Sequence, residues 1–277
     1  MIDEPLLSAG HPGPYSFTIR GTDTDPEDRL HLFALLSYMQ EAAFFNAEAG
    51  GLGTTFLDGQ GLCWILIRLA IRLDRLPQWG GRVVVNTWNR GCRRLTWIRD
   101  FTFFDQQGNF FGAASSEWII ADKSNHRPQK PDVLPVVAPI PQSDQSALPE
   151  EIRRLPRLEI RPDDKPVLTQ FADFSDIDRN GHVNNTRYAA WCMNALHVFA
   201  GERAAGCRVS ELDIHFVSEV RQGDKLVFYC QQIEDQTPGS LYRVESRRAS
   251  VGDQVVFRAD VRLTPAPERP EFRTIVN

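Results

Sequence analysis

A chain of 277 residues, 42% hydrophobic and 24% charged, has apolar material for one large domain or two of ordinary size. Its formal net charge of −5 argues against wholesale nucleic-acid binding, and no apolar run reaches the ~18 residues that a membrane span needs. Cys63, Cys92, Cys192, Cys207 and Cys230 are odd in number, scattered and free of any C-x-x-C, a pattern of reduced thiols that points to the cytoplasm. The start, acidic and broken by Pro5, Pro12 and Pro14, has the form of neither a signal nor a transit peptide.

Residues 15–20 alternate apolar and polar as a strand does. Asp23, Asp25 and Pro26 then supply helix-start signals, followed by Leu32, Leu35, Leu36, Met39, Ala42, Ala43, Phe44 and Phe45 on a helix ended by Gly50, Gly51 and Gly53. That helix is apolar nearly all round, as one buried on most sides must be. Strands are expected at 63–74, 81–89, 96–105 and 110–121, with turn residues between them. Pro131, Pro135, Pro139, Pro141 and Pro149 among Ser, Gln and Asp mark an extended surface linker. Beyond it the chain repeats: Gly223-Asp-Lys-Leu-Val-Phe echoes Gly81-Arg-Val-Val-Val, and Gly252-Asp-Gln-Val-Val-Phe echoes the stretch from Gly108. Both echoes fall at an offset of about 140 residues, as a duplicated domain requires.

The chemistry gathers in residues 171–199. Asp176, Asp178, Asn180, His182, Asn184 and Asn185 crowd the mouth of a helix whose Tyr188, Trp191, Cys192, Ala195, Leu196 and Phe199 recur at three- and four-residue spacing. Unpaired N–H groups and the positive end of the dipole lie at such a mouth, where a developing oxyanion can be stabilised. A plain Asn-Gly turn with Asp178 as cap explains part of this, but a cap needs neither His182 nor the Asn184–Asn185 pair. A calcium loop is matched by Asp176, Asp178, Asn180 and Gly181, but its twelfth position is Arg187, a cation where Glu belongs. A hydratase motif of the form D-x-N-P-x-H fits less well: Asn180 and His182 stand one residue too close and the proline is missing.

The string Asp178, Gly181, His182, Val183, Asn184, Asn185 and Tyr188 resembles the D-x-x-G-H-V-N-N-x-x-Y helix entrance of hot-dog thioesterases. Asn180 and Trp191 narrow the resemblance to the acyl-acyl carrier protein (acyl-ACP) thioesterases, with Arg187 standing where that family usually has Lys. Trp64, Arg68, Pro77-x-Trp79-Gly80, Thr87-Trp88, Arg99-Asp100, Ser116-x-Trp118 and Asn125-x-Arg127 extend it through the first half.

The resemblance implies an α+β chain of two tandem hot-dog domains, each an antiparallel sheet wrapped round a central helix. The domains are an acyl-chain-binding one at 1–130, a Pro-rich linker at 131–164 and a catalytic one at 165–277. It implies a hydrolase of acyl-ACP acting through Asp178, Asn180, His182 and Glu219, with Asn184 and Asn185 toward substrate and no metal or cofactor. Val220 falls where the family often has a cysteine, and an isopropyl group can neither attack nor relay protons; Cys192 has the helical phase of a packing residue. Glu219 with His182 is expected to activate water, Asn180 and the helix-mouth amides to hold the thioester oxygen, and Asp178 to orient the group or attack. An acyl carrier protein, being acidic, calls for a basic surface. Residues 60–130 hold eleven Lys and Arg against five Asp and Glu, a net of +6, whereas residues 1–59 hold two against nine, a net of −7; Arg68, Arg72, Arg93 and Arg94 are the candidates. An acyl-CoA thioesterase and a non-catalytic acyl-binding protein are the alternatives, and the chain is expected as a monomer or homodimer.

Overall fold

The computed structural model describes residues 13–134, 143–161, 163–250 and 254–267. The acidic start, Pro135, Pro139, Pro141 and Gly252 lie outside these. The first half runs β1 (Tyr15–Thr18), α1 (Leu32–Ala49), a short α2 (Thr54–Gly59), β2 (Leu62–Leu73), β3 (Arg82–Arg93), β4 (Thr96–Asp105) and β5 (Phe110–Asp122). The second runs β6 (Leu168–Phe171), α3 (Asn185–Ala200), β7 (Cys207–Phe216), β8 (Lys225–Ile233), β9 (Ser240–Arg248) and β10 (Gln254–Pro265). One ten-stranded sheet unites them in the order β1-β3-β4-β5-β2-β7-β10-β9-β8-β6, every pairing antiparallel. The halves meet at β2 and β7, where Arg68 lies opposite His215 and Arg72 opposite Glu211.

Period-two alternation decides which face carries the helices. Phe257, Ala259, Val261 and Leu263 of β10 join Leu69 and Ile71 of β2 in one core with Leu35 and Met39 of α1 and Trp191, Cys192 and Leu196 of α3. The sheet therefore wraps both helices, the tandem hot-dog arrangement. The matching offset is 153 residues through the helix entrances: β1 begins at Tyr15 and β6 at Leu168, and α1 at Leu32 and α3 at Asn185. It falls to 143 between the starts of β3 and β8, because the first half carries the longer helix and the extra α2.

The expected surface linker is more deeply engaged than its composition suggests. Leu148, Leu155 and Leu158 are buried, with Leu148 packed on Ala70 and Ala113 of the sheet face away from the helices. That face carries Asp100, Ser115, Asp213, His215, Glu245 and Asp260, all buried. The strap satisfies part of them: the Ala147 N–H donates to Asp100, the Leu158 N–H to Glu245, and Arg153 pairs with Asp213 at 2.8 Å. Buried carboxylates without such partners would be prohibitively costly.

Candidate active site at the seam between the halves

The loop ahead of α3 is built from its own polar side chains. Asp173 and Asp176 close a 3₁₀ turn reciprocally, and Ile177 and Val183 bridge the two arms. Asp178 Oδ1 accepts the Asn180 N–H at 2.8 Å, while the Asp178 N–H donates to the His182 carbonyl at 2.8 Å. Gly181, at φ 81°, supplies the left-handed residue this tight return needs. Asn184 caps α3, its Oδ1 accepting the Thr186 N–H at 2.9 Å; Asn185 opens the helix. Arg187 reaches back from the first turn to the buried Asp176 at 2.6 Å, so the cation that breaks the calcium pattern instead locks the loop onto the helix.

The same loop exists in the first half. Thr24 and Leu30 form the corresponding bridge, and Asp25 Oδ1 accepts the N–H groups of Glu27 and Arg29 at 2.9 Å each. Adding 153 to 25 gives Asp178, and adding it to 29 gives His182. The aspartate turn is thus a property of the fold in both copies. Only the second copy sets an imidazole where the first has a guanidinium, and Arg29 is consumed by Asp25, Glu27 and the Cys207 carbonyl.

Glu219 arrives from the segment after β7, its carbonyl held by Arg248 at 2.5 Å. Its Oε2 lies 3.1 Å from His182 Nε2, so two of the four residues expected to act together do meet. A second imidazole was not anticipated: His126, from the turn after β5, places Nδ1 2.6 Å from Glu219 Oε1, and the two rings stand edge to face with centroids 5.2 Å apart. The resemblance had flagged Asn125 and Arg127 on either side of it, yet nothing local distinguishes a histidine in a polar turn from a solvated one. One nitrogen of each ring and a Glu219 oxygen lie within 4.8 Å of one another. Two imidazoles and a carboxylate are a donor set that zinc accepts, but here the carboxylate already sits between the rings at hydrogen-bonding distances, and the group closes on itself.

Asn180 is exposed at the outer bend of the loop. Cys192 is fully buried, and that burial pushes its thiol well above the ordinary range; such a sulfur is no nucleophile. Val220 is likewise buried, its carbonyl taking the Val183 N–H at 2.9 Å. Tyr188 packs beneath the loop, its phenol raised by burial and by the neighbouring Glu219 and Asp178 charges. The Cys63 thiol is raised too, first by burial and then by Glu219. Among the arginines proposed for a carrier protein, Arg68 pairs with Glu117 at 2.7 Å, Arg72 with Asp213 at 2.8 Å and Glu150 at 3.0 Å, and Arg93 with Glu151. Arg94 is exposed at the β3–β4 turn.

Comparison with known proteins bears on the family and the fold. The sequence models of the acyl-ACP thioesterase N-terminal and C-terminal domains match residues 14–135 and 162–260. A palmitoyl-acyl carrier protein thioesterase of Arabidopsis thaliana is 26% identical over 201 residues, covering 68% of this chain and 48% of that protein; the chain spans about half the length of the first such relatives. An acyl-ACP thioesterase crystal structure from Bacteroides thetaiotaomicron is similar with 28% identity and a TM-score of 0.72, over 91% of this chain and 97% of that one. The 12:0-ACP thioesterase of Umbellularia californica, at 22% identity, shares the fold with a TM-score of 0.76, over 91% and 94% of the two chains. Matched by both domain models in order over most of its length, the chain belongs to the acyl-ACP thioesterase family.

Proposed function

We propose that the chain hydrolyses the thioester of fatty acyl-ACP and releases the free acid. The observation that carries this reading is Glu219 reaching His182 at 3.1 Å from a strand end far along the chain. A carboxylate only accepts, so Glu219 holds a proton on His182 Nε2 and leaves Nδ1 with its lone pair as general base. Water gives a proton to Nδ1 as its oxygen bonds to the acyl carbon. The resulting oxyanion is held by the Asn180 amide and the Asn185 N–H at the mouth of α3. Collapse breaks the carbon–sulfur bond, and the imidazolium returns its proton to the phosphopantetheine sulfur. Asp178, committed to its turn by the Asn180 N–H, orients this loop and is not the nucleophile.

The first half holds the acyl tail along α1 between Leu36 and Phe45, with the catalytic groups on the second half. The carrier protein docks through the basic stretch at 60–130, where Arg94, alone of the candidates Arg68, Arg72, Arg93 and Arg94, is not drawn into an ion pair among the described residues. Five unpaired cysteines suit a reducing compartment such as the cytoplasm. The test is purified protein with matched acyl-ACP and acyl-CoA, following thiol release. Faster turnover of the ACP thioester supports the reading; preference for acyl-CoA overturns the choice of carrier, and inertness toward both overturns the hydrolase.

A further inference from the structure

The turn that carries His126 is built with more care than a surface connection needs. Asp122 Oδ1 accepts the Ser124 N–H at 2.9 Å, the Ser124 hydroxyl at 2.5 Å and the Asn125 N–H at 3.2 Å. Those bonds hold the Asp122 carboxyl below the usual carboxylate range. Asn125 Oδ1 takes the Arg127 N–H at 2.9 Å, and the His126 N–H donates to the Asp122 carbonyl at 2.8 Å. Pro128 then bridges back to Ala121 of β5. Within this frame His126 adopts φ 56°, a left-handed conformation that non-glycine residues adopt infrequently. Nearby, Lys123 of the same turn pairs with Asp58 of α2 at 2.6 Å, and Asp58 faces Arg179 of the histidine loop at 3.7 Å. An uncommon conformation fixed by surrounding bonds, and aimed at a half-exposed carboxylate, is what a positioning device requires.

From these observations we infer that His126 is a positioning residue for the hydrolysis: its Nδ1–H pins Glu219 Oε1, so that Oε2 faces His182 and the base is completed across the seam by a residue of the first half. This rests on the thioesterase reading above. Apart from the two rings, Glu219 is held among the described residues through its backbone carbonyl by Arg248, and its side chain is 38% exposed, so without His126 the carboxylate keeps His182 as its one ring partner and is free to turn about that contact. Misplacing such a group by about 1 Å costs up to about a hundredfold in rate.

The test compares His126→Phe, which keeps a ring beside His182 and removes the donor, with His126→Asn. Asparagine tolerates a left-handed φ and offers an amide N–H near the position of Nδ1. On acyl-ACP, His126→Phe is expected to lower kcat by about tenfold to a hundredfold, with KM within threefold and an unchanged melting temperature. His126→Asn is expected to recover most of the loss. Wild-type kcat in His126→Phe overturns the inference, as do equal losses in both variants or a drop in kcat that tracks a lost fold in both. Activity abolished by EDTA and restored by Zn²⁺ overturns it in favour of a metal on the same three side chains. A wild-type chain inert toward acyl-ACP and acyl-CoA sinks the hydrolase reading itself, whereas an active wild type with an equally active phenylalanine variant sinks His126 alone.

Discussion

Glu219→Gln is the substitution whose consequence can be worked furthest. The carboxylate accepts from two rings, at 2.6 Å from His126 and 3.1 Å from His182. Glutamine keeps the shape but offers one oxygen and one NH₂ group. If the oxygen serves His126, the NH₂ faces a ring nitrogen that was donating, and His182 must turn over its tautomer or break away. A hydrogen bond to a charged group contributes about 1.5–3 kcal/mol; losing the one that orients the base corresponds to roughly tenfold to 150-fold in kcat. The fold should hardly notice, because the side chain is 38% exposed and exposed ion pairs contribute about 0–1 kcal/mol. The assay is initial-rate thiol release from acyl-ACP at nanomolar enzyme, so that the protein's own cysteines stay below the signal, with a thermal melt run in parallel. A kcat within twofold of wild type, at unchanged melting temperature, would refute the placing of Glu219 behind His182.

Asn180→Ala should slow turnover by about two to three decades if its amide holds the oxyanion, while circular dichroism stays native because the residue is exposed; a small loss in rate transfers that role to the helix amides alone. Cys192→Ala should keep kcat within twofold and lower the melting temperature by a few degrees through the small void left in the core, whereas a collapse in kcat with an intact fold would make the sulfur chemical after all. His215, buried under the strap with Nε2 2.9 Å from the Arg153 carbonyl, has its pKa lowered from 6.5, first by burial. The unfolded chain takes up that proton near pH 6.5 and the folded one only below it. Stability from this group is therefore full above about pH 6.5 and falls as pH drops toward the folded value. Denaturant midpoints measured from pH 8 to 5 should decline less steeply in His215→Gln, and parallel curves would remove His215 as the cause.

Sequence reached the helix mouth and stopped where the sheet took over. Asp178, Asn180, His182 and Asn184 are neighbours in the chain, and their turn and cap chemistry acts over two to four residues, so a linear reading finds them. Glu219 was found by resemblance, because its approach to His182 is set by how β7 ends. His126 lies in the other half, and only the β2–β7 seam brings it close. The strap failed differently: its prolines announce an extended path, but Leu148, Leu155 and Leu158 gain burial from a sheet face whose polar residues are scattered among distant strands. Counting charges overstated the basic surface for a related reason. Arg72 and Arg93 are answered by Asp213, Glu150 and Glu151, all outside the window in which the excess was counted.

The order of the ten strands has one more effect. A lone hot dog would leave β2 or β7 with a long row of unsatisfied amides and carbonyls, but here each covers the other. At the two ends of the sheet β1 and β6, four residues apiece, pair only with Arg82–Val85 of β3 and Lys225–Phe228 of β8. Such stubs give a passing strand little to zip onto. By joining itself in the middle, the molecule closes two borders against each other, and what remains outward is these stubs and the far ends of β3 and β8 beyond them.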